Sequence, residues 1–185
     1  RDDETWKTYA DVASRNIRET YLAHLWREDT KRFYDNPSLT SFVPNKAATL
    51  VEALFLFARV CDEPDIITQR ILPTLDAIIE HQISEGELRG AILQASADGD
   101  PVHWYFPYYV GRCIPALLLG YEHTQDEKYR KSAQMAADFM LKWQDDDGGF
   151  VQIVYPNGRY NRYQRWVAGA GDMIRTLRMM ETHGI

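Results

Sequence analysis

Cysteine is nearly missing from this sequence. Only Cys61 and Cys113 occur, with no CxxC pair and no zinc-ligand spacing, and each lies in an apolar helical context that suits a buried free thiol. Blocks of lysine or arginine are also missing. With 27 acidic against 21 basic residues and a formal net charge of −6, a nucleic-acid backbone and an anionic membrane surface are both excluded as expected partners. No apolar run is long enough to span a bilayer, and the opening RDDETWKTYAD is not a signal region. That leaves the compartment open between cytoplasm and a secreted form with its signal removed. There is no GxSxG, no phosphate loop and no dinucleotide fingerprint.

The 185 residues are 45% hydrophobic and 26% charged, the balance of a soluble globular chain long enough for one core. Aromatics reach 12%, with 11 tyrosines and 5 tryptophans. Residues 4–26 place Trp6, Tyr9, Val12, Ala13, Ile17, Tyr21, Leu25 and Trp26 at three- and four-residue spacings, which predicts an amphipathic helix. Residues 46–60 are apolar almost all round, as a helix enclosed on most sides must be. The alternation continues with an amphipathic helix over 62–82, in which Pro73 predicts a kink, and an apolar one over 107–121. It ends with an amphipathic helix over 126–144 and a final helix over 165–184 closed by Gly184.

This is one unit repeated three times, roughly 4–60, 62–121 and 126–184: amphipathic helix, long loop, apolar helix, short turn. The strict alternation of long and short connections places all the long loops at one end, over the N-termini of the apolar helices. Within those loops GAILQAS and GFVQIVY alternate with period two between the turn signals NPS, DGDP and YPNG, predicting small β-hairpins. The fold class expected is all-α, with three helical hairpins in a single α/α-hairpin domain.

Helix ends such as AADFMLKWQDDDGGF, and the stretch GGFVQIVYPNGRYNRYQRW, make the chain resemble the (α/α) toroids of the six-hairpin glycosidase-like superfamily. The resemblance implies an inner ring of buried helices, an outer ring of amphipathic ones and a ligand funnel at the loop end. It points most to the polysaccharide-cleaving members, glycoside hydrolases or polysaccharide lyases. Six hairpins of about sixty residues need about 360 residues, and three are present. A half-toroid exposes the flanks of its first and last inner helices, so a longer chain, a partner chain or self-association is expected to complete the ring.

Three stretches carry candidate chemistry. Asp145, Asp146 and Asp147 before Gly148–Gly149 read first as a polar turn. The functional alternative is a catalytic acid whose pKa mutual repulsion raises, with Glu85 or Glu87 as a distant partner, or a pair sharing a calcium ion, the one cofactor considered. The aromatic run His103–Trp104–Tyr105–Phe106–Pro107–Tyr108–Tyr109 divides between plugging the core and stacking on sugar rings, with His103, Trp104, Tyr105 and Tyr108 the expected ligand contacts. In YPNGRYNRYQRW, the arginines Arg159 and Arg162 beside Tyr160, Tyr163 and Trp166 either pair with nearby acids or clamp a uronate carboxylate. In the second case Tyr160 and Arg162 would take part in proton abstraction. The expectation is a carbohydrate-active domain that binds and cleaves an oligo- or polysaccharide, by hydrolysis or by elimination from a uronate. A non-catalytic carbohydrate-binding or protein-interaction half-toroid is the alternative. A terpenoid-cyclase or prenyltransferase-like toroid ranks third, because the loop face is rich in Arg, Asn and Tyr.

Overall fold

The computed structural model describes residues 3–165 and 169–185. Three helices stand side by side as an inner layer: α2 (Pro44–Val60), α4 (Pro107–Thr124) and α6 (Ala170–Thr182). Outside them lie α3 (Leu72–Glu80) and α5 (Glu127–Lys142), while α1 (Asp3–Asn16) runs on into a π-helical stretch, Ile17–Leu25, at the open edge. Outer and inner helices alternate along the chain, so the architecture is half of an (α/α) toroid.

α4 is the centre of the core. It packs on α2, α3, α5 and α6, and Val110, Cys113, Ile114, Ala116, Leu117 and Leu118 are all buried. Gly111 lets it sit this deep, because a Cβ there would stand 2.6 Å from the Met140 sulfur and 2.8 Å from that of Met173. Pro115 interrupts the helix ladder, since it has no N–H to donate to the carbonyl of Gly111. That carbonyl accepts instead from the buried hydroxyl of Thr176 on α6, at 3.4 Å.

Pro73 acts in a related way. The expected disturbance takes the form of a π-helical turn, Ile67–Ile71, directly before α3, and the carbonyl of Gln69 that Pro73 cannot serve accepts from Arg70 Nη1 at 3.1 Å. The last helix is shorter than the periodicity indicates, beginning at Ala170, and Gly184 beyond it has φ +67°.

The long loops form a thin β layer across the N-terminal ends of α2 and α4. β1 (Trp26–Arg27) pairs with β2 (Arg32–Phe33) within the first loop. β3 (Ser41–Phe42) pairs with β4 (Ala95–Ala97), which pairs with β5 (Asp100–Val102), so one sheet joins the first and second loops. The two-residue turn Asp98–Gly99 has positive φ at both positions, the geometry that a tight hairpin requires. β6 (Ile153–Val154) pairs with β7 (Tyr160–Asn161), and an isolated bridge between Tyr105 and Val154 joins the third loop to the second. The second loop also lies hard against α5. Gly90, at φ +91°, leaves no room for a side chain, since a Cβ would stand 1.8 Å from the Met135 carbonyl oxygen.

Candidate functional site

The three aspartates form a turn held by arginine. Asp145 N–H donates to Gly149 O at 2.7 Å, and Gly148 N–H returns to Asp145 O at 2.8 Å. The Asp145 carboxylate, largely covered, meets Arg165 Nη2 at 2.6 Å and Arg162 Nη2 at 3.3 Å. Asp147 accepts from Gly149 N–H at 3.0 Å and pairs with Arg165. These two contacts hold its carboxyl below the usual range, the Gly149 hydrogen bond contributing most. Repulsion among the aspartates therefore does not raise Asp147 as a general acid requires. The cation that Asp145 and Asp147 share is the Arg165 guanidinium, where a calcium ion was the sequence alternative. Asp146 stays exposed, as do Glu85 and Glu87. Among the described residues no cluster of three or more His, Cys, Asp or Glu is placed to hold a metal.

The Tyr–Arg stretch stands on β7 and the segment after it. Tyr160 is half-exposed, its ring 5.4 Å from that of Trp143, and the Arg162 guanidinium lies over it at 5.5 Å. Arg159 and Tyr163 are exposed. Trp166 lies outside the described residues. Arg162 is thus shared between an aromatic face and Asp145.

The aromatic run splits between faces, as extended geometry demands. Trp104 is half-exposed and His103 is exposed, its Nδ1 3.1 Å from the Tyr105 hydroxyl. Tyr105 corrects the expectation of a sugar platform. It is 2% exposed, edge-on to Phe139 and bonded through its backbone to Val154, so its ring plugs the core and has no face to offer. Tyr108 is intermediate. Its ring packs against Gly169, its hydroxyl donates to Asp172 Oδ2 at 2.9 Å, and burial together with Asp172 raises its pKa. Tyr108 and Arg165 line one apolar cavity of about 340 Å³ with Phe150, Met173, Ile174 and Leu177.

Sequence reasoning passed over a second polar group, on the inner helices themselves. Arg112 on α4 donates to Thr49 Oγ1 of α2 at 3.0 Å, approaches the Tyr108 hydroxyl at 3.5 Å and stands 3.6 Å from Asp172 of α6. One turn further along, Arg175 of α6 grips Glu52 of α2 with both nitrogens, at 2.5 and 3.2 Å. The pair spans the inner layer across α4. A signal was available: Arg112 is the one charge in PYYVGRCIPALLLGY, and Glu52 is the one charge in AATLVEALFLF. A lone charge in an otherwise apolar helix needs a partner from another element.

Comparison with known proteins supports the fold and extends over more than this chain. The structure of a sugar epimerase from a ruminal bacterium superposes with TM-score 0.74 at 16% identity, over 99% of this chain and 49% of that one. Cellobiose 2-epimerase from Bacillus thermoamylovorans gives 0.75 at 14%, over 98% and 48%. A family 76 glycoside hydrolase, a mannosidase from Bacteroides thetaiotaomicron, gives 0.70 at 15%, over 95% and 54%. The cellobiose epimerase and the mannosidase are (α/α)6 toroids, so the fold is shown, and this chain spans about half the length of each of the three structures. The family model for pectic acid lyase matches residues 113–184, which hold most of α4, all of α5, the third long loop and α6. No curated protein matches. No helix among the described residues is long and apolar enough to cross a membrane.

Proposed function

We propose that this half-toroid binds an acidic oligosaccharide across its loop end and cleaves it by elimination from a uronate. The observation that carries the reading is the convergence of Arg162, Arg165 and Tyr160 on one turn, inside the segment that resembles pectic acid lyase. Removing the proton α to a carboxylate leaves charge on that carboxylate, and guanidinium groups are suited to neutralise it. In this reading Arg159 and Arg162 face the uronate, and Asp145 and Asp147 position Arg162 and Arg165. Tyr160 and Tyr163 serve proton transfer, while Trp104 and Tyr108 flank the sugar. The C5 proton leaves to a base, the C4–O bond breaks, a C4=C5 double bond forms, and the departing oxygen takes up a proton. A second copy of the chain or further hairpins would complete the ring around this half-funnel.

Hydrolysis finds less support, because Asp147 is held ionised and Asp145 is committed to two arginines. Incubation with oligogalacturonates, read by mass spectrometry and by absorbance of the unsaturated uronate, tests the proposal. Unsaturated products are expected, and Arg162→Gln should lower kcat/KM by about 100-fold or more. Products heavier by one water would assign a hydrolase instead. Binding without turnover would favour the non-catalytic module, to which the chain's half-length relative to its structural neighbours lends weight.

A further inference from the structure

A cleft of about 630 Å³ opens between the Ile17–Leu25 segment and the first half of α2, within the usual range of small-ligand sites, and Arg112 of α4 reaches it. We infer that this cleft is a second saccharide subsite, in which Arg112 binds the carboxylate of an acidic sugar residue. The inference rests on the acidic-oligosaccharide reading above and places a second carboxylate away from the third loop.

Two independent features point to a ligand. The first is the state of Arg112. Two of its five N–H groups have hydrogen-bond acceptors among the described residues, both neutral hydroxyls, and its nearest carboxylate, Asp172, is 3.6 Å away. The neighbouring Arg175 is satisfied by a two-pronged carboxylate, and Arg165 by two separate ones. Arg112 is therefore fixed in place from three helices while keeping donors for an incoming carboxylate. The second feature is Asn45, on the first turn of α2. It is 9% exposed and lines the cleft, and its side-chain amide has no hydrogen-bond partner among the described residues. Its amide atoms keep access to the cleft, where a ligand hydroxyl or water can bond them.

The remaining lining suits a sugar. Tyr21 and Tyr34 supply ring surface, Thr49 a hydroxyl, and Lys46 an ammonium that Asp35 holds at 2.6 Å. The Tyr108–Arg112–Asp172 group separates this cleft from the cavity beside the third loop, since Tyr108 lines that cavity and Arg112 this cleft. An oligosaccharide lying across the group would present one uronate to the third loop and another to Arg112.

The test titrates trigalacturonate and its fully methyl-esterified form into the wild-type chain, Arg112→Gln, Arg112→Lys and Arg162→Gln. Calorimetry is paired with nitrogen-15 NMR of the arginine Nε–Hε groups, the Arg112 signal being assigned from its absence in the variants. The expected result is a shift of the Arg112 signal with the acid and none with the ester. Arg112→Gln should weaken the acid by about 10- to 100-fold and leave the ester unchanged, with Arg112→Lys between. Because Arg112 ties three helices, Asn45→Leu and Thr49→Val are run beside it, and about 3- to 10-fold weakening of the acid is expected from each. If Arg112→Gln binds the acid like wild type while Arg162→Gln loses it, the subsite is wrong and the loop reading stands. If the wild-type chain neither binds nor turns over the acid, both fall.

Discussion

α4 and α1 are helices of 18 and 14 residues, and each has an apolar face visible in its sequence. α4 is enclosed by four other helices, and its buried residues run round the whole cylinder. α1 leaves Trp6, Tyr9 and Val12 half-exposed or more, and burial begins in the Ile17–Leu25 segment that follows it, where Ile17, Tyr21 and Leu25 pack against the core. The difference lies in position within the ring. A helix in the middle of the arc has neighbours on every side, whereas the edge helix of a half-ring has them on one. Apolar periodicity states what a helix is able to bury, and the arc decides how much of it is buried.

The comparison is broken most directly at its centre. Leu117→Ala, at a fully buried site on α4, should destabilise by about 2–5 kcal/mol, read as a lowered denaturant midpoint. A loss below about 1 kcal/mol would mean that α4 is not the packed axis described. Thr176→Val should cost about 1–2 kcal/mol, because it removes the hydroxyl that serves the Gly111 carbonyl left open by Pro115. A neutral result would show that water reaches this carbonyl.

A smaller, pH-dependent effect is expected where the helices meet the loop layer. His81 is buried, bonded to the Ala77 carbonyl at 2.7 Å and to Ser96 Oγ at 2.9 Å, with its ring tilted against that of Phe42. Burial lowers its pKa, partly opposed by the Ala77 hydrogen bond. The unfolded chain therefore takes up the proton first. The stability contributed is present above the unfolded value of about 6.5 and is lost as pH falls from there through the lower folded value. A thermal midpoint that stays flat over that window, or falls equally in His81→Gln, would overturn this assignment. The smallest effect belongs to the edge: Tyr9→Ser on α1 should change stability by less than about 0.5 kcal/mol. A larger loss would show that α1 is covered in solution.

Much of this was legible in the chain. The alternation of amphipathic and apolar helices, the long loops gathered at one end, the hairpin turns at Asp98–Gly99 and Pro156–Asn157–Gly158, and the half-length of the array are all local or periodic properties. The turn formed by Asp145–Gly149 was legible for the same reason, since its residues are adjacent. The fate of single side chains was less so. Tyr105 and Trp104 are neighbours with opposite exposures, and only the bridge to Val154 decides which of them turns inward.

Sequence by itself determined the layers: hydrophobic period and turn chemistry act over a few residues, and they fix which helices lie inside and where the loops gather. Tertiary structure alone decided the polar partnerships of the inner face. Thr49 with Arg112, Arg112 with Asp172 and Glu52 with Arg175 each join residues from different repeats. Their distances depend on how three helices pack, and no local pattern in the chain encodes that.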